Sequence, residues 1–372
     1  MDRPRTNTAY EYEVIRDDLF KAIDDIVRNG RKLVLGHELE RTEEALAGYT
    51  GRKHAVGVGN GTDAIYVALR ALGVGPGDEV LMPANVCVAV LEAVVRNQAT
   101  PHFVDVKPDT WTLDPAKVSL AIGPRTRAIL AVHAYGLPAD IEEIMAVAGD
   151  GVRVIECCGQ AFGARYMGHP VGHFGTVGCF SFNPSKVNGA IGDGGALVTD
   201  SEDVARNAHR MRDHGRDVEG GPAHFTGFSS RLDEINSLAV RLKLEHIDDW
   251  IQIRHRKAQM YRQMLAEAKG VILQTVPPGR VSSYQMFTVR HQLRDRVRHL
   301  ITEQGVRCGT SYRLPFRMPA YATSAFPGTD SIPETFSLEA TTLSFSFFTG
   351  ITEEQMGVFA DALKRACTQS GA

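Results

Sequence analysis

The chain is poor in the features that mark several common protein classes. Six cysteines in 372 residues stand at 87, 157, 158, 179, 308 and 367, with no CxxC pair and no regular spacing. That argues against a disulfide framework and predicts reduced thiols in a cytoplasmic compartment. A zinc site would have to be assembled from distant pieces such as Cys157, Cys179 and His173, so no metal is expected. No stretch approaches the roughly 18 apolar residues of a membrane span. The start, MDRPRTNTAYEYEV, lacks the apolar segment of a secretion signal. Excess charge is missing too. The 41 Lys and Arg nearly balance 44 Asp and Glu, and a net charge of −3 gives no footprint for nucleic acid or an anionic membrane. The glycines form neither GxGxxG nor a Walker loop, so a dinucleotide or P-loop site has little support. Repeats, low-complexity tracts and long linkers are absent.

What remains is an ordinary globular composition, 43% hydrophobic and 23% charged, long enough for two domains or one large domain with an appendage. Apolar spacing predicts helices over 11–29 and 38–49, then a strand (HAVGVG), a turn (NGT) and a helix (DAIYVALRALG). Strands and helices then alternate: EVLMPA, VAVLEAVVRNQ, TPHFVDV, LDPAKVSLAI, TRAILAVHAYG, DIEEIMAVAGD, RVIECCG. This pattern predicts an α/β fold with a mostly parallel sheet covered on both faces, continued by GCFSF and GALVTD. One long mixed-charge helical stretch over 236–268 leads into strand-like SSYQMFTVRHQL, helical DRVRHLITEQG, a loop-rich segment 308–335 and a last helix, EEQMGVFADALKRAC. The expected division is a large α/β domain over 1–240 and a smaller α+β domain over 241–372.

Lys186 carries the chemistry. It follows an apolar run, Val177 to Phe182, and a Pro-containing turn at the sheet edge, and a glycine-rich run from Gly189 to Gly195 comes after it. An amine presented there can condense with an aldehyde and hold a pyridoxal cofactor as a Schiff base; alone, it reads more readily as a surface lysine beside a glycine turn, and the surroundings reverse that. NGTDA at 60–64 follows a strand and opens a helix. Gly61 lets backbone N–H groups approach an anion, Thr62 adds a hydroxyl, and the helix N-terminus adds its dipole. Ser181 and Lys186 downstream could supply a second phosphate contact and the covalent link.

In order along the chain stand NGTDA, VHAYGLPADIEEI, VIExxxQAxGA, GCFSFNPSKVNGAIGDGGALVTD, GFSSRLDEI and LSFSFFTGITEEQ. Over about 20–365 the sequence thereby resembles the DegT/DnrJ/EryC1/StrS family of pyridoxal-phosphate-dependent sugar aminotransferases, of fold type I. The resemblance implies a cytoplasmic homodimer with shared active sites, acting in antibiotic, polysaccharide or other secondary-metabolite sugar pathways. It implies that Lys186 forms the Schiff base with pyridoxal 5′-phosphate and moves the substrate proton. Gly61, Thr62 and Ser181 would hold the phosphate, and Gln160 would lie near the cofactor's phenolic oxygen. Ser229 stands where the family usually sends an asparagine across the dimer.

Three positions depart from the family pattern. Cys157 replaces the aspartate that pairs with the pyridine nitrogen. A carboxylate there keeps the nitrogen protonated and the ring a deep electron sink, whereas a thiol is a weak, normally neutral donor. Phe162 replaces the histidine behind it, and Cys87 replaces the aromatic ring that stacks on the cofactor. Strand alternation argues against Glu156 as a substitute carboxylate, because adjacent strand residues face opposite ways.

His133, Tyr135 and Tyr312 are candidate substrate residues, with a satisfied core histidine the equal alternative for His133. Arg231 reads as a substrate anion contact or an ion pair with Asp233 or Glu234. RHRK at 254–257 reads as a solvated helix face. The leading expectation is an aminotransferase acting on a keto group of a nucleotide-linked or cyclitol sugar. The alternatives are a non-transaminating enzyme of elimination or dehydration type on the same scaffold, and a catalytically inactive helper dimer.

Overall fold

The computed structural model describes residues 8–218, 220–345 and 347–370. Its centre is a seven-stranded sheet. In spatial order the strands are His54–Val58, Gly195–Thr199, Val177–Ser181, Arg153–Cys157, Thr126–Val132, Glu79–Met82 and Thr100–Phe103. Only Gly195–Thr199 runs against the others. Most of these strands are buried along their length, as the continuous apolar runs require of a sheet covered on both faces. One apolar cluster joins the sheet to helices Gly61–Ala71, Val88–Arg96 and Glu202–Arg212. A second, built on Leu81, Ile129, Ala131 and Ile144, packs the helices Pro115–Ala121 and Ile141–Ala148 on the other face.

The predicted 236–268 helix is two helices, Glu234–Leu244 and Ile247–Met264. The break at Glu245–His246 re-aims the second helix so that Ile247, Trp250 and Ile251 reach the core. Ile251 lies against Gly163, whose φ of +81° and lack of a side chain make room for it. Beyond that helix, a three-stranded sheet (Ile272–Leu273, Phe287–Arg290, Thr342–Phe345) packs with helices Arg294–Glu303 and Glu353–Gln369 around its own core. The 308–335 segment is mostly irregular until a helix, Pro333–Thr341, begins within its last residues. No helix among the described residues is long and apolar enough to cross a membrane.

Arg254 corrects the solvated-face reading of RHRK. It is buried and donates to the carbonyls of Ser283 (2.9 Å), Tyr284 (2.6 Å) and Phe347 (3.2 Å). Only Arg256 of the four is exposed. The helix carries this stretch between two packed units, so a charge at that register meets orphan carbonyls instead of water.

Candidate active site

The site forms beyond the carboxyl ends of the parallel strands, the usual place for a ligand in an open α/β sheet. The strand Val177–Ser181 is interior to the sheet, so Lys186 stands past its carboxyl end and not at a lateral edge. Asn60 caps the helix Gly61–Ala71 by accepting the Asp63 N–H at 2.8 Å, and its carbonyl takes the Ala64 N–H. The N–H groups of Gly61 and Thr62 are left without a partner among the described residues. A β-carbon at Gly61 would stand 2.5 Å from the Ser181 β-carbon and 2.9 Å from its Oγ. Two free N–H groups, a serine hydroxyl and a helix N-terminus therefore converge on one spot, the chemistry of a phosphate cradle.

Gly195 explains part of the glycine run. It lies directly under this turn, where a β-carbon would collide with the Asn60 carbonyl and stand 2.9 Å from Gly61 N. Ser230, which the sequence reading passed over, buttresses the turn from another side. Its Oγ accepts the Gly59 N–H (2.9 Å) and donates to Asp63 (2.6 Å). Asp63 also holds Arg96 at 2.8 Å.

Lys186 is half-buried. Burial lowers its amine pKa from the ordinary lysine value, and the neighbouring Cys87 partly opposes the shift. Cys87 is exposed at the start of the helix Val88–Arg96. It also lies within electrostatic reach of Tyr312, whose hydroxyl burial pushes well up. The Tyr312 hydroxyl accepts a hydrogen bond from Gln160 Nε2. Gln160 Oε1 accepts the Tyr135 N–H at 2.8 Å. Tyr135, its φ at +61°, is buried beneath the site, bonds the Ser311 carbonyl (3.1 Å) and stacks on Tyr312 at 6.1 Å. The fold thus links Lys186, Cys87, Tyr312, Gln160 and Tyr135, and Gly159 packs on Ser181 at the cradle.

Cys157 and Glu156 face opposite sides of the sheet. Cys157 is paired in register with Cys179 and belongs to the core on the side of the cradle helix. Burial, with a smaller push from Glu156, raises the Cys157 thiol to about 12. The Cys179 thiol is raised as well, by burial first. Glu156 is committed elsewhere. Its oxygens accept the N–H groups of Gly172 (2.9 Å), Phe174 (2.8 Å) and Gly175 (2.9 Å) and pair with His133 at 3.1 Å. Burial works to raise this carboxyl, but His133 and the N–H groups outweigh it and hold its pKa below the usual value. Phe162 sits in an aromatic cluster, stacked on Tyr49 at 5.6 Å and edge-on to Phe180 and Phe182.

Two candidate roles need correction. His133 is completely buried. Its Nδ1 accepts the Ala139 N–H (2.9 Å) and its Nε2 faces Glu156, so both nitrogens are occupied on the far side from the cradle. Arg231 pairs with neither Asp233 nor Glu234 but with Asp213 (3.2 Å) and Ser229 Oγ (2.7 Å). Asp233 caps its own helix, and Glu234 accepts the N–H groups of Gly36, Glu38 and Leu39. Ser229 is exposed next to the Ser230 buttress.

Comparison with known proteins agrees with this layout. The description "DegT/DnrJ/EryC1/StrS aminotransferase family" matches residues 13–364. The dTDP-3-amino-3,4,6-trideoxy-alpha-D-glucose transaminase of Streptomyces venezuelae is 40% identical over 90% of this chain and 88% of its own. The crystal structure of S. venezuelae DesV in complex with a ketimine intermediate superposes with a TM-score of 0.93, at 37% identity over 98% of both chains. The structure of NtdA from Bacillus subtilis with bound cofactor PMP gives a TM-score of 0.86 at 26% identity, over 95% of this chain and 82% of that one.

Proposed function

Because the chain belongs to the DegT/DnrJ/EryC1/StrS aminotransferase family, we propose that it uses pyridoxal 5′-phosphate, bound through Lys186, to place an amino group on a keto carbon of a nucleotide-linked or cyclitol sugar. The residues fit that cofactor. The unpartnered N–H groups of Gly61 and Thr62, with the hydroxyls of Thr62 and Ser181, suit its phosphate. With Cys87 within electrostatic reach of both Lys186 and Tyr312, Gln160 and Tyr312 would border the lysine, Cys87 would stand toward the ring face, and Cys157 would be the residue offered to the ring nitrogen. When bound, the cofactor supplies an aldehyde for the lysine and a ring that accepts electrons from substrate. The chain supplies a desolvated amine at Lys186 Nζ, which is more readily neutral than a surface lysine and can carry a proton to and from the reacting carbons. The six free thiols suit a reducing cytoplasm. A homodimer would bring Ser229, exposed beside the cradle, to a partner's site. The large and small domains would meet near residue 240.

The observation that carries the reading is the Gly61–Ser181 cradle together with a half-buried lysine, five residues beyond Ser181, whose amine pKa burial lowers. The test is a visible spectrum of the chain loaded with pyridoxal phosphate. A lysine-bound absorbance lost in Lys186→Ala, and conversion to the pyridoxamine form by glutamate or glutamine with release of the keto acid, are expected. No lysine-bound absorbance in the unaltered chain would leave the helper-dimer reading.

A second reading rests on Cys157. With a neutral thiol at that position and Glu156 held on the other face, neither residue would offer a carboxylate to stabilise a pyridinium. Elimination or dehydration tolerates a weaker electron sink. An absorbance that forms on Lys186 but that no amino donor converts selects this alternative.

A further inference from the structure

Lys186 is gripped both from within its own loop and from outside it. Its N–H donates to the Asn183 carbonyl at 2.8 Å, and its carbonyl accepts the Gly189 N–H at 3.1 Å. The other halves of the two flanking peptide units go to one side chain. Gln285 Nε2 donates to the Ser185 carbonyl at 2.7 Å, and Gln285 Oε1 accepts the Val187 N–H at 3.1 Å. Gln285 is 8% exposed. A primary amide is the neutral side-chain group that donates and accepts from adjacent atoms in one plane, and it satisfies both groups at once.

The anchor of this amide is itself fixed. Ser283 N–H donates to the Gly136 carbonyl at 2.9 Å, and Ser283 Oγ donates to the Gln160 carbonyl at 3.1 Å. The buried Arg254 holds the carbonyls of Ser283 and Tyr284. Tyr284 has a φ of +46°, a left-handed kink that persists where its surroundings over-determine it. Just beyond Gln285 the chain enters the strand Phe287–Arg290 of the smaller sheet. One short segment therefore ties the C-terminal unit to both Gln160 and the backbone of Lys186.

We propose that Gln285 is a positioning residue for Lys186, setting where the amine stands by clamping the peptide units on either side of it. The proposal rests on the reading of Lys186 as the cofactor lysine. It also predicts a property of the cofactor-free chain, so the two can fail separately. In that chain, the rate at which a small amine-reactive reagent labels Lys186 is read by peptide mass spectrometry. In the loaded chain, the rate of appearance of the lysine-bound absorbance is read with pyridoxal phosphate itself.

Gln285→Leu removes both bonds at similar volume. Gln285→Glu keeps the acceptor for Val187 N–H and loses the donor. Misplacement of a reacting group by about an ångström costs on the order of a hundredfold, so Gln285→Leu is expected to slow adduct formation roughly ten- to hundredfold and to change the labelling rate at Lys186. Gln285→Glu should fall between it and the unaltered chain. A purely structural role would move the melting temperature and leave both rates unchanged in the folded fraction.

Wild-type rates in the folded variants overturn the proposal. Should Gln285→Leu fail to fold, Gln285→Glu decides by the same criteria. An unaltered chain that never forms the lysine-bound absorbance overturns the cofactor reading, and the labelling rate then judges the clamp alone.

Discussion

Gly195 lies directly beneath Asn60, so closely that a β-carbon on the glycine would collide with the asparagine carbonyl and stand 2.9 Å from Gly61 N. The last glycine of the GDGG block is therefore a floor for the cradle turn and need not touch a cofactor at all. Gly195→Ala should push the Asn60–Gly61 turn outward. Overpacking of this kind costs about 1–3 kcal/mol, and a loss of about 1.4 kcal/mol at the turn is tenfold in affinity. Equilibrium titration with pyridoxal phosphate is expected to show that weakening. Unchanged affinity with unchanged melting temperature would mean that the turn relaxes freely and is no rigid cradle.

Cys157→Asp tests which group faces the ring nitrogen. Position 157 is buried among apolar groups, next to Cys179. An unpaired carboxyl there should destabilise the cofactor-free chain by about 1–3 kcal/mol. A bound ring nitrogen would give that carboxyl a partner. The cofactor should therefore raise the melting temperature of the variant by more than it raises that of the unaltered chain, since a ligand stabilises the state it binds. Long-wavelength absorbance on adding an amino donor should also increase. An identical cofactor-induced shift in both proteins would place the ring nitrogen elsewhere.

The parallel sheet was readable because each buried strand is a short apolar run between helical periods and turn residues, and the order of elements follows from that alternation. The cradle was readable at Gly61, Thr62 and Ser181 because an N-cap, a glycine and a helix start are local in the chain. The supports were not. Gln285 lies about a hundred residues from the groups it clamps, and no spacing rule joins them. Ser230 was hidden behind its neighbour Ser229, though a second serine in the same motif was a signal that could have been followed. His133 looked like a pocket residue at a strand end. Its true partner, Glu156, is 23 positions away on the neighbouring strand, and only the register reveals the pair. The break at Glu245–His246 was invisible because mixed-charge helical spacing continues through it.

Glu156→Gln should separate architecture from chemistry. The carboxylate accepts three backbone N–H groups and the His133 ring, and removing one partner of such a buried network costs about 3–5 kcal/mol. Because its folded-state pKa is depressed, its stabilisation is present above the unfolded value, about 4.3, and is lost as pH falls through the folded value. The variant should therefore be less stable than the unaltered chain near neutral pH, with the gap closing in acid. Urea unfolding at a series of pH values measures this, and a gap that stays constant would mean that Glu156 is not ionised in the folded chain.

The titration of Lys186 follows from its surroundings with a definite sign. Burial disfavours the ammonium, so the amine should shed its proton at a lower pH than a free lysine, about 10.4, and react with an amine reagent at correspondingly lower pH. The neighbouring Cys87 works the other way, favouring the charged amine. Cys87→Ser removes that contribution and should move the labelling profile of Lys186 further down the pH scale. The same substitution leaves the Gly61–Ser181 cradle and the Gln285 clamp untouched, so the shift reads the effect of the Cys87 thiol on the amine. The measurement is the labelling rate at Lys186 against pH in the cofactor-free chain, with and without Cys87. A profile centred at the free-lysine value would show the amine to be hydrated, and a profile unmoved or raised by Cys87→Ser would show that the thiol does not face it.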